Sequence, residues 1–195
     1  MILETLVSTI DAHGAPNFAP MGISLDQNEI VLRPFRTAVT WRNLQAVAEG
    51  VVNFSDDVLL FARCALLSEI PAHRPAERVR GVMLRHACSW KEFAVFAADV
   101  GGARGRFRAR VVHEGRRREF LGFNRAQHAV VEATILATRL HLLGRDAVLR
   151  EMARLEPLVD KTGGEREREA FAFVNSFAQA QAPATVPPGG GGGAG

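Results

Sequence analysis

The stretch "VLRPFRTAVTWRNLQAVAEGVVNFSDD", residues 31–57, decides the fold because it joins two apolar strands through a polar turn and a short helix. The pattern predicts a helix from about Trp41 to Ala48, with Thr40 as its N-cap and Gly50 at its end. The strand-to-helix turn carries an unusual concentration of polar side chains, which are Arg33, Arg36, Thr37, Thr40 and Asn43.

The segments around this stretch read as further strands. "ILETLVSTID", "NFAPMGISL" and "EIVLRPF" are separated by short turns, which is typical of an antiparallel meander. "DDVLLFARCALL" predicts a helix, and residues 68–78 predict a loop because they contain Pro71 and Pro75. "VRGVMLRHACSWKEFAVFAADV" and the alternating "RFRARVVHEG" add two or three strands. Five or six neighbouring strands of this length predict a small antiparallel barrel.

The pattern changes to helices from Gly122 onward. A long helix is predicted from Asn124, as its cap, to Leu143, and "RDAVLREMARLEPLV" and "EREREAFAFVNSFAQ" predict two more. The first helix has one apolar stripe that runs from Ala126 to Leu140 and a second formed by Val131, Ile135 and Leu142, so we expect it to pack against the barrel and against a second subunit. The fold class is therefore α+β and mostly antiparallel β. We divide the chain into a barrel (1–121), a lobe of about three helices (122–178) and a disordered Ala/Pro/Gly tail (179–195).

Composition excludes several classes of function. No apolar run reaches the roughly 18 residues that span a bilayer, and the N-terminus lacks a basic signal region, so we expect a cytoplasmic protein without membrane contact. Cys64, Cys88 and the six histidines lack metal-ligand spacing, so no metal is predicted. The net charge is only +3, and the arginines of "GRRREF" indicate a solvated turn, so no nucleic-acid partner is expected.

The polar turn at residues 33–43 admits two interpretations. Free N–H groups at a helix start, hydroxyl groups and guanidinium groups together suit a phosphate dianion. Alternatively, Thr40 only caps the helix, Asn43 lies in solvent and the arginines are ordinary surface charges. A second stretch, "DKTGG", also precedes a helix, but it lacks the glycine spacing of a P-loop, which excludes a nucleotide triphosphatase.

Three separated motifs resemble one family. "RPFRTAVTWRNLQAVAEGVVNFSDDVLLFA", with the preceding "NFAPMGIS", is similar to the flavin-binding segment of the FMN-binding split-barrel (flavin-reductase-like) superfamily. "GFNRAQHAVVEATILATRLHLL" and "VDKTGGEREREA" resemble the helical extension of its DUF447 subgroup. The resemblance covers about Met1 to Phe177, and it implies a split β-barrel followed by the helical lobe.

The resemblance implies FMN as the cofactor. It places the phosphate at Arg33, Arg36, Thr37, Thr40 and Asn43, and it implies a flavin ring held by the backbone around Pro20, Met21 and Gly22. Asn53 or Ser55 would reach the ribityl chain or the ring edge, although Asn53 equally suits a residue that only pins its turn. Arg125 and Lys161 would reach the flavin phosphate or a substrate anion, from the same or a neighbouring subunit.

The implied function is an FMN-dependent oxidoreductase that passes electrons between small-molecule donors and acceptors. The family context of DUF447 implies a link to tetrahydromethanopterin one-carbon metabolism. Two alternatives stay open: a non-catalytic FMN-binding or electron-carrier module, and a flavin-free assembly partner. Split barrels of this size generally bind flavin between two subunits, so a homodimer is expected. No general acid or other catalytic residue is identifiable from the sequence.

Overall fold

The computed structural model describes residues 1–181, which fall into a barrel unit, Met1–Phe123, and a helical unit that begins at Asn124. The strands are β1 (Ile2–Ile10), β2 (Pro16–Asp26), β3 (Glu29–Leu32), β4 (Glu49–Phe54), β5 (His73–Pro75), β6 (Val82–Leu84), β7 (Ser89–Asp99) and β8 (Arg106–Arg116). The helices are α1 (Val39–Ala46), α2 (Val58–Leu67), α3 (Arg125–Thr138), α4 (Leu140–Leu143), α5 (Arg145–Thr162) and α6 (Glu165–Ala180).

Six of the strands close an antiparallel barrel in the order β1–β2–β3–β8–β7–β4. Its ring is completed where β4 pairs with β1, as in the pair of Val52 and Val7. The predicted α+β class and the barrel followed by helices are therefore confirmed. The buried core of the barrel consists of Val7, Ile23, Ile30, Leu32, Leu44, Val52, Phe93, Phe107 and Ala109.

Strand β2 is paired unevenly on its two sides. It pairs with β1 along nearly its whole length, whereas β3 pairs with it only from Ser24 to Asp26. Met21 packs against the barrel core, so by strand alternation Pro20 and Gly22 point to the outer surface. Within the described residues, the side of β2 that faces away from β1 has no strand partner before Ser24.

The outer surface of β4 is covered by the small β5–β6 sheet. Asn53 is fully buried here and joins three strands, since its Nδ2 donates to Leu6 O and Ser8 Oγ (both 3.0 Å) and its Oδ1 accepts from Leu84 N (2.7 Å). The β5–β6 sheet lies partly in the segment predicted as a loop, so that prediction was wrong for His73–Pro75. The two prolines concealed it, because an edge strand tolerates a residue without an N–H group.

The loop between β5 and β6 is fastened by a buried acid. Glu92, on β7, is 0% exposed, and its carboxylate accepts three consecutive backbone N–H groups. Its Oε1 accepts from Glu77 N (2.9 Å), and its Oε2 accepts from Arg78 N (2.7 Å) and Val79 N (3.1 Å). This carboxylate therefore satisfies donors that the loop cannot satisfy by itself.

Helix α1 starts two residues earlier than the sequence predicts. Its N-cap is Ala38, which makes no side-chain capping bond, and Thr40 lies inside the helix. The cap prediction was wrong because Thr40 is 1% exposed and accepts a hydrogen bond from Asn17 Nδ2 (3.2 Å) instead. Gly50 also does not end the helix. It lies in β4, where a Cβ atom would stand 2.7 Å from Phe93 Cζ.

The helical unit consists of α3, α5 and α6, with the single turn α4 between the first two. Asn124 caps α3, as predicted, by accepting from Ala126 N (2.8 Å) and Gln127 N (3.2 Å). The predicted helix to Leu143 is interrupted at Arg139, which ends α3. At the other end, α6 continues to Ala180, two residues into the segment predicted as a tail. The rest of that segment, 182–195, lies outside the described residues.

Candidate functional site

The polar turn between β3 and α1 is a backbone corner fastened to the loop before β8. Arg36 N donates to Ala103 O (3.0 Å), and Gly105 N donates to Pro34 O (2.9 Å). Ala38 N then donates to Phe35 O (2.9 Å), which turns the chain into α1. The position of this corner is therefore fixed by main-chain bonds.

The five side chains predicted for the phosphate divide into two groups at this corner. Arg33, Arg36 and Thr37 are exposed. Thr40 and Asn43 are 1% and 4% exposed. Asn43 Nδ2 donates to Thr9 Oγ1 (3.1 Å), so the buried pair ties α1 to the barrel strands. The corner thus offers an exposed cationic rim above two residues that already have protein partners.

The start of α1 carries donors that the protein does not cap. Ala38 supplies no side-chain acceptor, so no N-cap side chain satisfies the first N–H groups of the helix, where the positive end of its dipole lies. The indole Nε1 of Trp41 is buried and has no hydrogen-bond partner within the described part of the chain. The Arg36 guanidinium lies 5.9 Å from the centre of the same indole ring. These groups together favour an anion at the corner.

The residues predicted beside the flavin ring lie on β2. Pro20, Met21 and Gly22 are half-buried and pair with β1 on one side only. The carbonyl of Met21 accepts from Thr5 Oγ1 (3.0 Å). The unpaired side of β2 leaves backbone groups available to a ligand, and the Asn17–Thr40 bond connects the start of this strand to α1.

The acidic turn after β4 is occupied by its own interactions. Both ends of the Asn53 amide are bonded to protein, which favours the structural role that the sequence left open. Ser55 Oγ accepts from Asp57 N (3.1 Å), and Asp57 caps α2. Arg118 forms a two-point salt bridge with Asp56, and this hydrogen bonding lowers the pKa of that carboxyl group.

Arg125 and Lys161 belong to the helical unit and are exposed. The α3 N-terminus beside Arg125 is already closed, because Ala126 N donates both to Asn124 Oδ1 (2.8 Å) and to Thr162 Oγ1 (3.1 Å). The amides at this position are therefore satisfied by protein. A contact from Arg125 or Lys161 to a flavin phosphate stays a prediction.

An open cavity of about 390 Å³ lies between the β1–β2 turn and α1. Of the predicted site residues, only Asn43 lines it. Its other polar residues were not predicted as site residues from the sequence; they are Asp11, His13, Asn17 and Arg42. The available signal was helical spacing, because Val39, Asn43 and Ala46 fall on one face of α1, with Arg42 beside them.

The cavity has a negative charge on the side of the β1–β2 turn, from Asp11, and a positive charge on the side of α1, from Arg42. On the turn, Asp11 Oδ1 accepts from Ala15 N and His13 N (both 2.9 Å), and these bonds, chiefly the one from Ala15, lower the pKa of the Asp11 carboxyl group. On the helix, Arg42 Nη1 donates to Thr37 O (3.1 Å). The turn side is therefore anionic, and the helix side is cationic.

Residues 1–181 contain neither a candidate membrane span nor a candidate metal cluster. None of the helices there has the length and apolar character that a membrane span needs. No group of three or more His, Cys, Asp or Glu residues in this part of the chain is arranged to hold a metal ion.

Two family profiles match the chain. The N-terminal domain of DUF447, described as a protein of unknown function, matches residues 3–118, and the C-terminal DUF447 profile matches residues 124–176. A search of curated proteins finds no match.

Solved structures share the fold. An FMN-bound DUF447 protein of Methanosarcina mazei, MM1853, superposes with a TM-score of 0.79 at 26% identity, over 90% of this chain and 94% of that one. Nitrilotriacetate monooxygenase component B of Bacillus cereus gives a TM-score of 0.51 at 21% identity, over 62% and 71% of the two chains. The 2-nitrobenzoate 2-nitroreductase NbaA of Pseudomonas fluorescens gives 0.51 at 16% identity, over 58% and 64%.

Proposed function

The chain belongs to the DUF447 family, and from that membership we propose that it is an FMN-binding flavoprotein that serves an oxidoreductase reaction. The observation that carries the proposal is the similarity to the FMN-bound M. mazei protein, which extends over 90% of this chain and includes the helical unit. The barrels of lower identity support the fold alone.

The β3–α1 corner fits the phosphate of FMN. A phosphate dianion needs N–H donors and positive charge, and the uncapped start of α1 offers the first while Arg36 offers the second. Arg33 and Thr37 complete the exposed rim. Thr40 and Asn43 support this site indirectly, since their side chains fasten α1 to β2 and β1.

The unpaired side of β2 fits the ring. Main-chain groups on a barrel wall are rigid, so Pro20, Met21 and Gly22 would hold the ring edge in one orientation. The bound flavin supplies the electron-transfer chemistry. The protein contributes a fixed orientation, a charged phosphate site and the exclusion of water from one ring face.

The electron donor and the electron acceptor are part of this proposal. A reduced nicotinamide or another small carrier would donate electrons, and the acceptor would be a small molecule. The link to tetrahydromethanopterin metabolism rests on the family resemblance and on no residue described above. A homodimer is proposed because Ile135, predicted in the second apolar stripe, is half-buried in α3, and Leu142 is 72% exposed in α4.

The decisive experiment is the absorption spectrum of the purified protein, followed by chromatography of the flavin that denaturation releases. We expect a yellow protein that releases FMN and whose visible bands bleach on anaerobic addition of NADH or NADPH. Bound flavin that neither nucleotide reduces would favour the non-catalytic electron-carrier module. A colourless protein that does not bind added FMN would refute the proposal and favour the assembly partner.

The phosphate site has its own test. Arg36→Ala combined with Thr37→Ala should weaken FMN binding about tenfold or more, because a hydrogen bond to a charged group contributes about 1.5–3 kcal/mol. Arg117→Ala is the matched control, since Arg117 is also exposed but lies at the opposite end of β8, roughly 30 Å along the strand from the corner. Equal FMN affinity in the double variant and the control would place the phosphate elsewhere.

A further inference from the structure

The cavity between the β1–β2 turn and α1 is separate from the residues assigned to FMN. Its lining includes none of Arg33, Arg36 and Thr37 and none of the residues Pro20–Gly22 proposed to hold the flavin ring. Asn43 is the single lining residue that was also predicted to bind the phosphate of FMN. Its volume of about 390 Å³ falls within the usual range of small-molecule sites, about 300–1,000 Å³.

Two side-chain amides, the buried Asn43 and the half-buried Asn17, give the cavity hydrogen-bond acceptors. Asn43 is 4% exposed, and its Nδ2 is occupied by Thr9. Asn17 Nδ2 is occupied by Thr40. Within residues 1–181, neither amide oxygen accepts a hydrogen bond from protein, so both are available to hydroxyl or amino groups of a ligand.

The other lining residues place a positive charge on one side of the cavity and small apolar side chains on its walls. Arg42 stands on the helix side, and one bond to Thr37 O leaves most of its guanidinium donors free. Asp11 keeps its negative charge on the turn side, which directs an anionic group toward Arg42. Ala15, Pro16 and Ala46 leave short apolar walls against which a planar group can lie.

We propose that this cavity is a second binding site, for the ribose phosphate and base of a nucleotide, beside the flavin. Arg42 binds the phosphate, the amide oxygens of Asn17 and Asn43 accept from the ribose hydroxyl groups, and the base covers the apolar wall. The existence of this site does not depend on flavin. Its role, to hold the nucleotide part of an electron donor, rests on the proposed function.

The test is a calorimetric titration of AMP into the flavin-loaded protein and into the flavin-free protein. AMP should bind both forms, and Arg42→Ala should weaken its binding about tenfold. Ala46→Trp should abolish binding, because Ala46 is exposed, lines the cavity at the last turn of α1 and is remote from the start of the helix. Ala153→Trp, at an exposed position of α5, is the steric control and should bind AMP normally.

The outcomes separate this site from the flavin site. Competition of AMP with NAD⁺ would assign the cavity to half of a dinucleotide, whereas AMP binding without competition would assign it to a free mononucleotide, and both support the proposal. Displacement of FMN by AMP would show that the cavity belongs to the flavin and would overturn it. So would the absence of AMP binding at millimolar concentration, or equal binding by the Ala46→Trp and control variants. A protein that cannot be loaded with FMN but still binds AMP would refute the proposed function and leave this second site standing.

Discussion

Replacement of the buried Glu92 by glutamine should destabilise the barrel unit severely although the two side chains have the same shape. The carboxylate is 0% exposed and accepts three backbone N–H groups, from Glu77, Arg78 and Val79. A glutamine side chain has one acceptor oxygen, so at least one of these donors would face the amide NH₂ group. The Glu92→Gln variant therefore keeps the volume of the side chain, but it removes the charge and at least one of the three bonds.

The magnitude follows from the three bonds. In the better orientation of the amide, its oxygen replaces Oε2 and keeps two bonds, which weaken from about 2 to about 1 kcal/mol each when the charge is lost. The third bond, from the partly buried N–H group of Glu77, is lost at a cost of about 1–3 kcal/mol. Relief of the desolvated charge offsets part of the sum, so we expect a net loss of about 2–4 kcal/mol.

Urea unfolding followed by tryptophan fluorescence measures this loss, because Trp41 and Trp90 both lie in the barrel unit. The matched control is Glu114→Gln, which removes the same charge from an exposed partner of Lys91 and should cost less than about 1 kcal/mol. A Glu92→Gln protein as stable as the control would refute the argument that this carboxylate fastens the loop.

Three further perturbations have definite expected outcomes. The salt bridge with Arg118 lowers the pKa of Asp56 in the folded protein, so the stabilisation from this pair is present above the unfolded pKa of about 4 and is lost as pH falls through the lower folded value. In Arg118→Ala, the free energy of unfolding measured by urea titration should therefore fall less between neutral and acid pH. An unchanged pH profile would contradict this role of the salt bridge. Burial raises the pKa of the Cys64 thiol to about 12, so iodoacetamide should label it only after unfolding, and rapid labelling of the native protein would show a more open α2. Ile135→Glu should convert the proposed dimer into a monomer by light scattering, and a variant that stays dimeric would move the interface away from α3.

The sequence predicted the architecture because strand alternation and helical spacing report directly on which residues are buried. The resemblance of three separated motifs to DUF447 is confirmed by profiles that match both units. The Asn124 cap was also predictable, since a cap depends on neighbouring residues alone.

The predictions that failed depend on contacts between distant segments. Thr40 is a residue type that often caps helices, but its hydroxyl group accepts a hydrogen bond from Asn17, which lies 23 residues earlier in the chain. Gly50 has the chemistry of a helix end, but the ring of Phe93 requires a residue without Cβ at that position. Arg42 and the cavity were missed because a concave surface forms only when the β1–β2 turn and α1 come together.

The barrel is closed by its last strand, and this order bears on synthesis. Strand β3 has its second partner in β8, where Ile30 pairs with Ala109. During synthesis on a ribosome, which adds about 5–20 residues each second, the edge of β3 stays unpaired for several seconds until β8 has been synthesised. During that interval the nascent chain presents an open, apolar edge, which is the kind of surface that chaperones bind. A chain released before Arg106 would retain this edge permanently, and we expect it to aggregate.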